Sequence, residues 1–323
     1  MTLGSGGIEA HGLGKRFDDL WALQDLDLDV PAGTVLGLLG HNGAGKTTAI
    51  RILTTLSRPT TGRASVNGID VVADPGSVRQ AIGVTAQAAT VDGLLSGRKN
   101  LEMIGRLHHL PRQEARNRAD QLLDQLDLAD AKDKLAKSYS GGMRRRLDLA
   151  ASIVTTPSVL FLDEPTTGLD PRSRSELWEV LRGLVREGTT LLLTTQYLEE
   201  ADLLADDIVV LDHGRTVAHG TPSQLKAQIG DQRIDVTVAA AHELEAASGA
   251  LSPFATGRPS IDAGLLQVTV PIPPGVRLIE VLRTLDGAGI DAVDLNRRSA
   301  TLDDVFLTLT GSTQRPELDE VPA

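Results

Sequence analysis

Thr34-Val35-Leu36-Gly37-Leu38-Leu39 runs without a break into Gly40-His41-Asn42-Gly43-Ala44-Gly45-Lys46-Thr47-Thr48, and this junction decides how the rest of the chain is read. The first six residues are a short apolar run of the kind buried inside a parallel sheet. The next eight fit Gly-x-x-x-x-Gly-Lys-Thr at the mouth of a helix-compatible stretch. Glycine-rich backbone lets successive N–H groups turn toward phosphate oxygens, and the helix N-terminus adds a favourable dipole. Lys46 adds positive charge, and the Thr47 hydroxyl suits Mg²⁺. Strand, loop and helix together predict that residues 40–48 cradle the phosphates of a nucleotide.

Working outward, apolar runs at Ser158–Leu162, Thr190–Thr194 and Ile208–Leu211 alternate with amphipathic stretches through about residue 220. That alternation predicts an α/β fold with a largely parallel sheet. Asn67-Gly68 between apolar residues marks a tight hairpin, hence a small antiparallel element beside the sheet. Gly97–Ala136 reads as a helical insert, with Leu101, Ile104 and Leu107 on one face and Leu122, Leu123, Leu126 and Leu128 on another. The run at Ser158–Leu162 ends directly in Asp163-Glu164, two carboxylates at the carboxyl end of a buried strand, where open α/β sheets bind ligands. There Asp163 can hold Mg²⁺ or its water, and Glu164 can orient or deprotonate an attacking water. Taken alone, the pair also fits a polar turn before Pro165.

Beyond His213-Gly214, Gly220–Gly230 reads as a short helix capped by Thr221, with Pro222 in its first turn and Gly230 at its end. A second rhythm then begins: strand Ile234–Val238, helix His242–Ala247, strand Leu265–Val270, helix Val276–Leu285, strand Asp291–Leu295. This predicts a small α+β domain of split βαβ type. The expected division is 1–222, a linker at 223–232, an accessory domain at 233–311 and a flexible tail at 312–323.

Composition narrows the function. The 323 residues carry a net charge of −11, 41% are apolar, none is cysteine and eight are aromatic. A disulfide framework, thiolate metal sites and cysteine nucleophiles are excluded, and neither a base-stacking surface nor bulk nucleic-acid binding is expected. No run reaches the ~18 apolar residues needed to span a bilayer. A soluble, cytoplasmic protein is expected, with any membrane role exercised through a partner.

Ser140-Gly141-Gly142-Met143 followed by Arg-Arg-Arg-Leu-Asp-Leu-Ala resembles the signature of the ATP-binding-cassette (ABC) ATPases, and it stands 23 positions ahead of Asp163 as in that family. Gln87 matches the glutamine loop, Gly168-Leu169-Asp170 the D-loop, and Phe17 the aromatic position that stacks on adenine. The resemblance covers about residues 7–222. It implies a phosphate-loop ABC nucleotide-binding domain with an antiparallel β subdomain and helical insert, followed by the small α+β domain. The implied cofactors are ATP and Mg²⁺, with Thr47, Gln87 and Asp163 about the metal and Asp170 beside the nucleotide. Ser140, Gly141 and Gly142 would face the γ-phosphate of ATP held by an opposite subunit. With one phosphate loop and one signature per chain, a head-to-tail homodimer is the simplest complete unit. Arg144, Arg145 and Arg146 are read as a solvated or interface-facing stretch rather than phosphate ligands. Where most members carry a switch histidine this chain has Gln196, whose amide can donate to a γ-phosphate but cannot carry a proton as imidazole does. Glu164 is therefore the expected base, with Gln196 as phosphate sensor and Lys46 as the catalytic cation.

Thr194-Thr195-Gln196-Tyr197-Leu198-Glu199-Glu200-Ala201-Asp202 and the later Thr301–Gly311 are similar to the daunorubicin/doxorubicin-resistance group of ABC exporter ATPases. That resemblance implies a separately encoded membrane permease, efflux of a drug or other hydrophobic compound, and a position at the inner face of the cell membrane. Ala88–Leu110 reads either as permease contact or as insert core. The accessory domain is expected to regulate or stabilise the assembly. The competing class is a non-transport ABC ATPase acting as a sensor or a translation- or DNA-associated regulator, although no direct nucleic-acid contact is expected.

Overall fold

The computed structural model describes residues 7–85, 91–230 and 232–310, and the chain divides into two compact units between His219 and Gly220. In the first unit, β1 (Ile8–Phe17), β2 (Leu20–Val30), β3 (Val35–Leu39), α1 (Lys46–Leu53), β4 (Thr61–Val66), β5 (Ile69–Asp70), α2 (Pro75–Ala81) and β6 (Ile82–Thr85) come first. The insert helices α3 (Gly97–Leu107) and α4 (Arg112–Gln125) follow. Next come α5 (Gly141–Ser152), β7 (Val159–Asp163), α6 (Pro171–Arg186), β8 (Thr190–Thr195), α7 (Leu198–Leu204), β9 (Asp207–Asp212) and β10 (Arg215–Gly220).

Two sheets result. One is antiparallel in the order β2-β1-β4-β5, and its β4–β5 hairpin turns through Asn67 (φ 55°) and Gly68 (φ 73°), the left-handed pair that the dipeptide predicts. The other has the order β10-β9-β3-β8-β7-β6, with parallel pairing of β3 to β8 and β9, of β8 to β7, and of β7 to β6. Strands β3, β7 and β8 are buried along their whole length because both faces are covered, which is why they read as unbroken apolar runs. Successive side chains go to opposite faces. Leu36, Leu38, Phe161 and Leu192 join a core with Ile52 and Leu53 of α1 and Leu13 and Leu23 of the antiparallel sheet. Leu160, Leu162, Leu191 and Leu193 join the other core with Leu147 of α5 and Leu177 and Leu181 of α6. Register pairs Leu39 with Thr195 and Asp163 with Thr194, so the carboxyl ends of the three central strands stop level.

The insert departs from expectation at one position. Leu101, Leu122 and Leu123 are fully buried, but Leu107 is 71% exposed. The helix stops there, capped by His108, and the chain turns away at His109 with φ 66°.

The second unit contains α8 (Pro222–Gln228), β11 (Gln232–Val238), α9 (Leu244–Leu251), β12 (Ser260–Asp262), β13 (Gln267–Ile272), α10 (Leu278–Gly287), β14 (Ala292–Ser299) and α11 (Leu302–Thr310). From β11 to β14 this is a βαββαβ unit with sheet order β12-β13-β11-β14 and antiparallel neighbours. Strand β12 has only three residues, too few for a hydrophobic period to register. Thr221 and Gln224 form a reciprocal capping box on α8. The Thr301–Gly311 motif becomes α11, with Gly311 outside the described residues. Asp304 accepts from Arg298 at 2.6 and 3.0 Å, from the Thr301 N–H at 2.8 Å and from its hydroxyl at 3.0 Å. Arg298 also donates to Asp235 of β11 at 2.6 Å. Burial opposes the charge on Asp304, but the bonds from Arg298 and Thr301 outweigh it and hold the carboxyl below its ordinary value.

Candidate active site

The loop between β3 and α1 brings its glycines close to neighbouring backbone. Gly45 has φ 108°, and a Cβ there would lie 2.6 Å from the Ala22 carbonyl oxygen, so glycine is required. Gly45 is also the N-cap of α1 and supplies no side-chain acceptor, so none of the first N–H groups of α1 is taken by a cap side chain. His41, Asn42, Gly43, Ala44, Thr47 and Thr48 complete the loop and first turn. Asn42, Gly43 and Thr47 are exposed, His41 and Thr48 are partly exposed, and Ala44 is buried.

Lys46 is 5% exposed; its Nζ donates to the Gly40 carbonyl at 2.7 Å and the His41 carbonyl at 3.1 Å. Burial pushes its ammonium pKa down, and Glu164 and Asp163 pull against that shift. Glu164 Oε1 lies 4.0 Å from Nζ. The Thr47 hydroxyl donates to Asp163 Oδ2 at 3.1 Å, and that of Thr194 donates to Oδ1 at 2.6 Å. Glu164, in the left-handed region at φ 49°, donates its N–H to Thr194 at 3.1 Å. Lys46, Thr47, Asp163 and Glu164, four of the residues singled out from sequence, therefore meet at the level ends of β3, β7 and β8.

Three residues to which the sequence assigns no role hold this group in place. Thr194 orients Asp163. Arg145 donates to three successive carbonyls, those of Asp163 at 3.0 Å, Glu164 at 2.6 Å and Pro165 at 2.6 Å. Burial pushes its guanidinium pKa down, against the pull of Asp148, Asp163, Glu200 and Glu164. Of the three arginines read as a solvated or interface-facing stretch, Arg144 is exposed as expected, but Arg145 is packed beneath the Asp163–Pro165 turn and Arg146, partly buried, lies 3.5 Å from both Asp127 and Glu176. With the helix phase fixed by Ser140 as N-cap, Arg145 falls on the face of Leu149, one turn on, and this phase is the signal that finds it. Glu200, fully buried, accepts from Thr166 at 3.2 Å and Trp178 at 3.1 Å. Burial raises its pKa, opposed by those donors and Thr195. It ties the start of α7, just after Gln196, to α6 and to the turn after Glu164.

Gln196 is partly buried directly after β8. Phe17 stands 53% exposed at the end of β1, with Lys15 Nζ 5.1 Å from its ring. Ser140 and Gly141 sit at the exposed start of α5, where the Ser140 hydroxyl accepts from the Met143 N–H at 3.2 Å. Gly142 packs so closely that a Cβ would lie 2.8 Å from Ser173 Oγ. Asp170 is the N-cap of α6, accepting from the Ser173 N–H at 3.0 Å and its hydroxyl at 2.7 Å, and these bonds hold its carboxyl below the ordinary range. Gln87 lies outside the described residues, as do Ala88 to Thr90 of the candidate permease contact. For a cation, Thr47 and Asp163 offer adjacent hard oxygen donors, the set that suits Mg²⁺.

A family model described as ABC transporter matches residues 23–167. A daunorubicin resistance ATP-binding protein of Streptomyces coeruleorubidus is 53% identical over 97% of this chain and 98% of its own. A Nod factor export ATP-binding protein I of Ralstonia nicotianae is 36% identical over 95% of each chain. Among solved structures, cbiO1 from Clostridium perfringens, described as part of the ABC transporter complex cbiONQ, matches with TM-score 0.64 and 27% identity. That match covers 69% of this chain and 92% of cbiO1.

Proposed function

The chain belongs to the ATP-binding proteins of ABC transporters, in the group that includes the drug-resistance ATPases, and from that membership we infer that it hydrolyses ATP to power efflux through a separate membrane permease. The observation that carries the reading is the convergence of Lys46, Thr47, Asp163, Glu164 and Thr194 at one sheet edge beside an α1 N-terminus that no side chain caps.

In this reading the loop N–H groups and Lys46 bind the phosphates, and Phe17 stacks on the adenine. Thr47 and Asp163 would hold Mg²⁺, which supplies charge neutralisation on the phosphates when bound. Glu164 takes the proton of the attacking water, held in place because Arg145 fixes the carbonyls on either side of it. Gln196 donates to the γ-phosphate. Two copies pair head to tail, so that Ser140, Gly141 and Gly142 of one reach the ATP of the other; the exposed start of α5 and the open space around Gly141 support this. Leu94, just ahead of the insert, and Leu107, at the end of α3, are both strongly exposed and are the proposed permease contacts; in this reading the protein works at the cytoplasmic face of a membrane. No described helix is long and apolar enough to cross one.

The test is co-expression with a candidate membrane permease from the same genome. The expected result is a co-purifying complex that transports an anthracycline-like hydrophobic compound in vesicles only with ATP. ATP hydrolysis without any stable membrane partner would overturn the transport reading.

A further inference from the structure

The phosphate loop is docked on the turn between β9 and β10. The Gly214 N–H donates to the Ala44 carbonyl at 3.0 Å, and the Gly214 carbonyl accepts from the Gln24 N–H at 2.7 Å. At this contact His41 meets Asp212 and His213. His41 Nε2 lies 2.9 Å from Asp212 Oδ1, and His213 Nε2 lies 3.8 Å from the same oxygen. The two rings are 5.1 Å apart at 62°, and one ligand atom from each of the three residues lies within 4.8 Å of the others.

The contacts of His41 point to a cation. Its Nδ1 is 2.6 Å from the Asn42 carbonyl oxygen, which can only accept, so Nδ1 carries a hydrogen. In the neutral ring Nε2 then presents a bare lone pair to a carboxylate oxygen at 2.9 Å. Two acceptors at that distance repel unless a positive centre joins them. The Nδ1–H···O=C bond is also the outer bond that fixes a metal-ligating histidine in the tautomer with Nε2 open. Tetrahedral Zn²⁺ with bonds of about 2.0–2.1 Å separates its ligand atoms by roughly 3.3 Å, and the observed 2.9 and 3.8 Å straddle that value. His213 is 85% exposed, so its side chain is free to close the longer gap.

We propose that His41, Asp212 and His213 form a site for Zn²⁺ or a similar borderline divalent ion, clamping the start of the phosphate loop to the β9–β10 turn. Two imidazoles and one carboxylate select such an ion over Mg²⁺, which prefers an all-oxygen set such as Thr47 and Asp163. Among the described residues no other trio of histidine and carboxylate side chains is so grouped. The site adds a metal-dependent constraint on the loop and does not depend on what the ATPase drives.

The experiment is a Co²⁺ titration of the full chain, stripped with EDTA and free of nucleotide, followed by the visible absorption of tetrahedral Co²⁺ and by displacement with Zn²⁺. One equivalent per chain is expected, with a metal-induced rise in Tm. His213→Asn, which tolerates the left-handed backbone at φ 46°, and Asp212→Asn should each weaken Co²⁺ binding at least tenfold. Unchanged melting of both variants without metal checks that the fold survives. Absence of a saturable band in the native chain would mean that the positive centre at His41 is only a ring proton and would overturn the proposal. So would binding that survives both substitutions.

Discussion

Replacing Glu164 by Gln tests the assignment of the catalytic base, and the structure sets the size of the effect. The amide keeps the shape of the side chain, and the backbone N–H that donates to Thr194 at 3.1 Å is untouched. The substitution removes one basic oxygen and one negative charge 4.0 Å from Lys46 Nζ. At that separation, with an effective dielectric of 20, the lost attraction on Lys46 is about 4 kcal/mol before solvation is counted. That attraction competes with the phosphates for the same ammonium, so its loss leaves ATP binding no weaker. Loss of a positioned base costs about 10²- to 10⁴-fold in rate, or roughly 2.7–5.5 kcal/mol on the barrier. Steady-state phosphate release at saturating ATP should therefore fall by at least a hundredfold, while calorimetry finds ATP affinity equal or higher. Turnover within tenfold of the native chain would refute Glu164 as base, and a large loss of ATP affinity would recast it as a binding residue.

Gln196→His should retain hydrolysis within about tenfold, or 1.4 kcal/mol, because imidazole can replace the donor an amide supplies; a collapse of turnover would mean the turn after β8 is built around the amide. Asp304→Asn should destabilise the second unit by about 3 kcal/mol, the low end for breaking a buried pair, because Arg298 is 30% exposed and keeps Asp235. Both tryptophans and both tyrosines lie in the first unit, so the readout is hydrogen exchange at the amides of β11 and β14. The folded pKa of Asp304 is depressed below about 3.8, so its contribution is complete above that pH and is lost as pH falls through the folded value. Acid should therefore narrow the gap between native chain and variant, and a gap independent of pH would show that the carboxylate charge is not what stabilises α11.

The parts legible in the sequence are those whose physics is local. A phosphate loop is made by contiguous backbone, so residues 40–48 carry their own geometry, and β3, β7 and β8 declare themselves because burial on both faces leaves no polar position. Ser140 and Thr221 mark helix starts because a cap acts within one turn. Arg145 is hidden because it acts on carbonyls 18 to 20 positions away; helix phase puts it on the inward face, but nothing local says which carbonyls it meets there. The same limit applies to histidines. In sequence His41 is only part of the loop, and its partner Asp212 lies 171 positions on. Leu107 misleads for another reason: helical spacing puts it on the buried face, but spacing does not report that its own helix ends there and the chain turns away at His109.

Helix α5 connects what the sequence displays as separate motifs. Its exposed N-terminus carries Ser140 and Gly141. Five residues beyond Ser140, about 7.5 Å along the axis, Arg145 grips the carbonyls of Asp163, Glu164 and Pro165. Between them Gly142 lies against Ser173, which also satisfies the cap residue Asp170. A short, uninterrupted helix with a largely buried C-terminal half cannot shift its first turn without moving Arg145 or breaking those three bonds. Any ligand that engages Ser140 and Gly141 therefore acts mechanically on the turn that holds Glu164. In the proposed head-to-tail pair that ligand is the other subunit's ATP, so each bound nucleotide adjusts the base on the chain opposite. The arginine behind the acidic turn ties the start of α5 to its own chain's Glu164, and in the proposed pair that same start would also face the partner's phosphate.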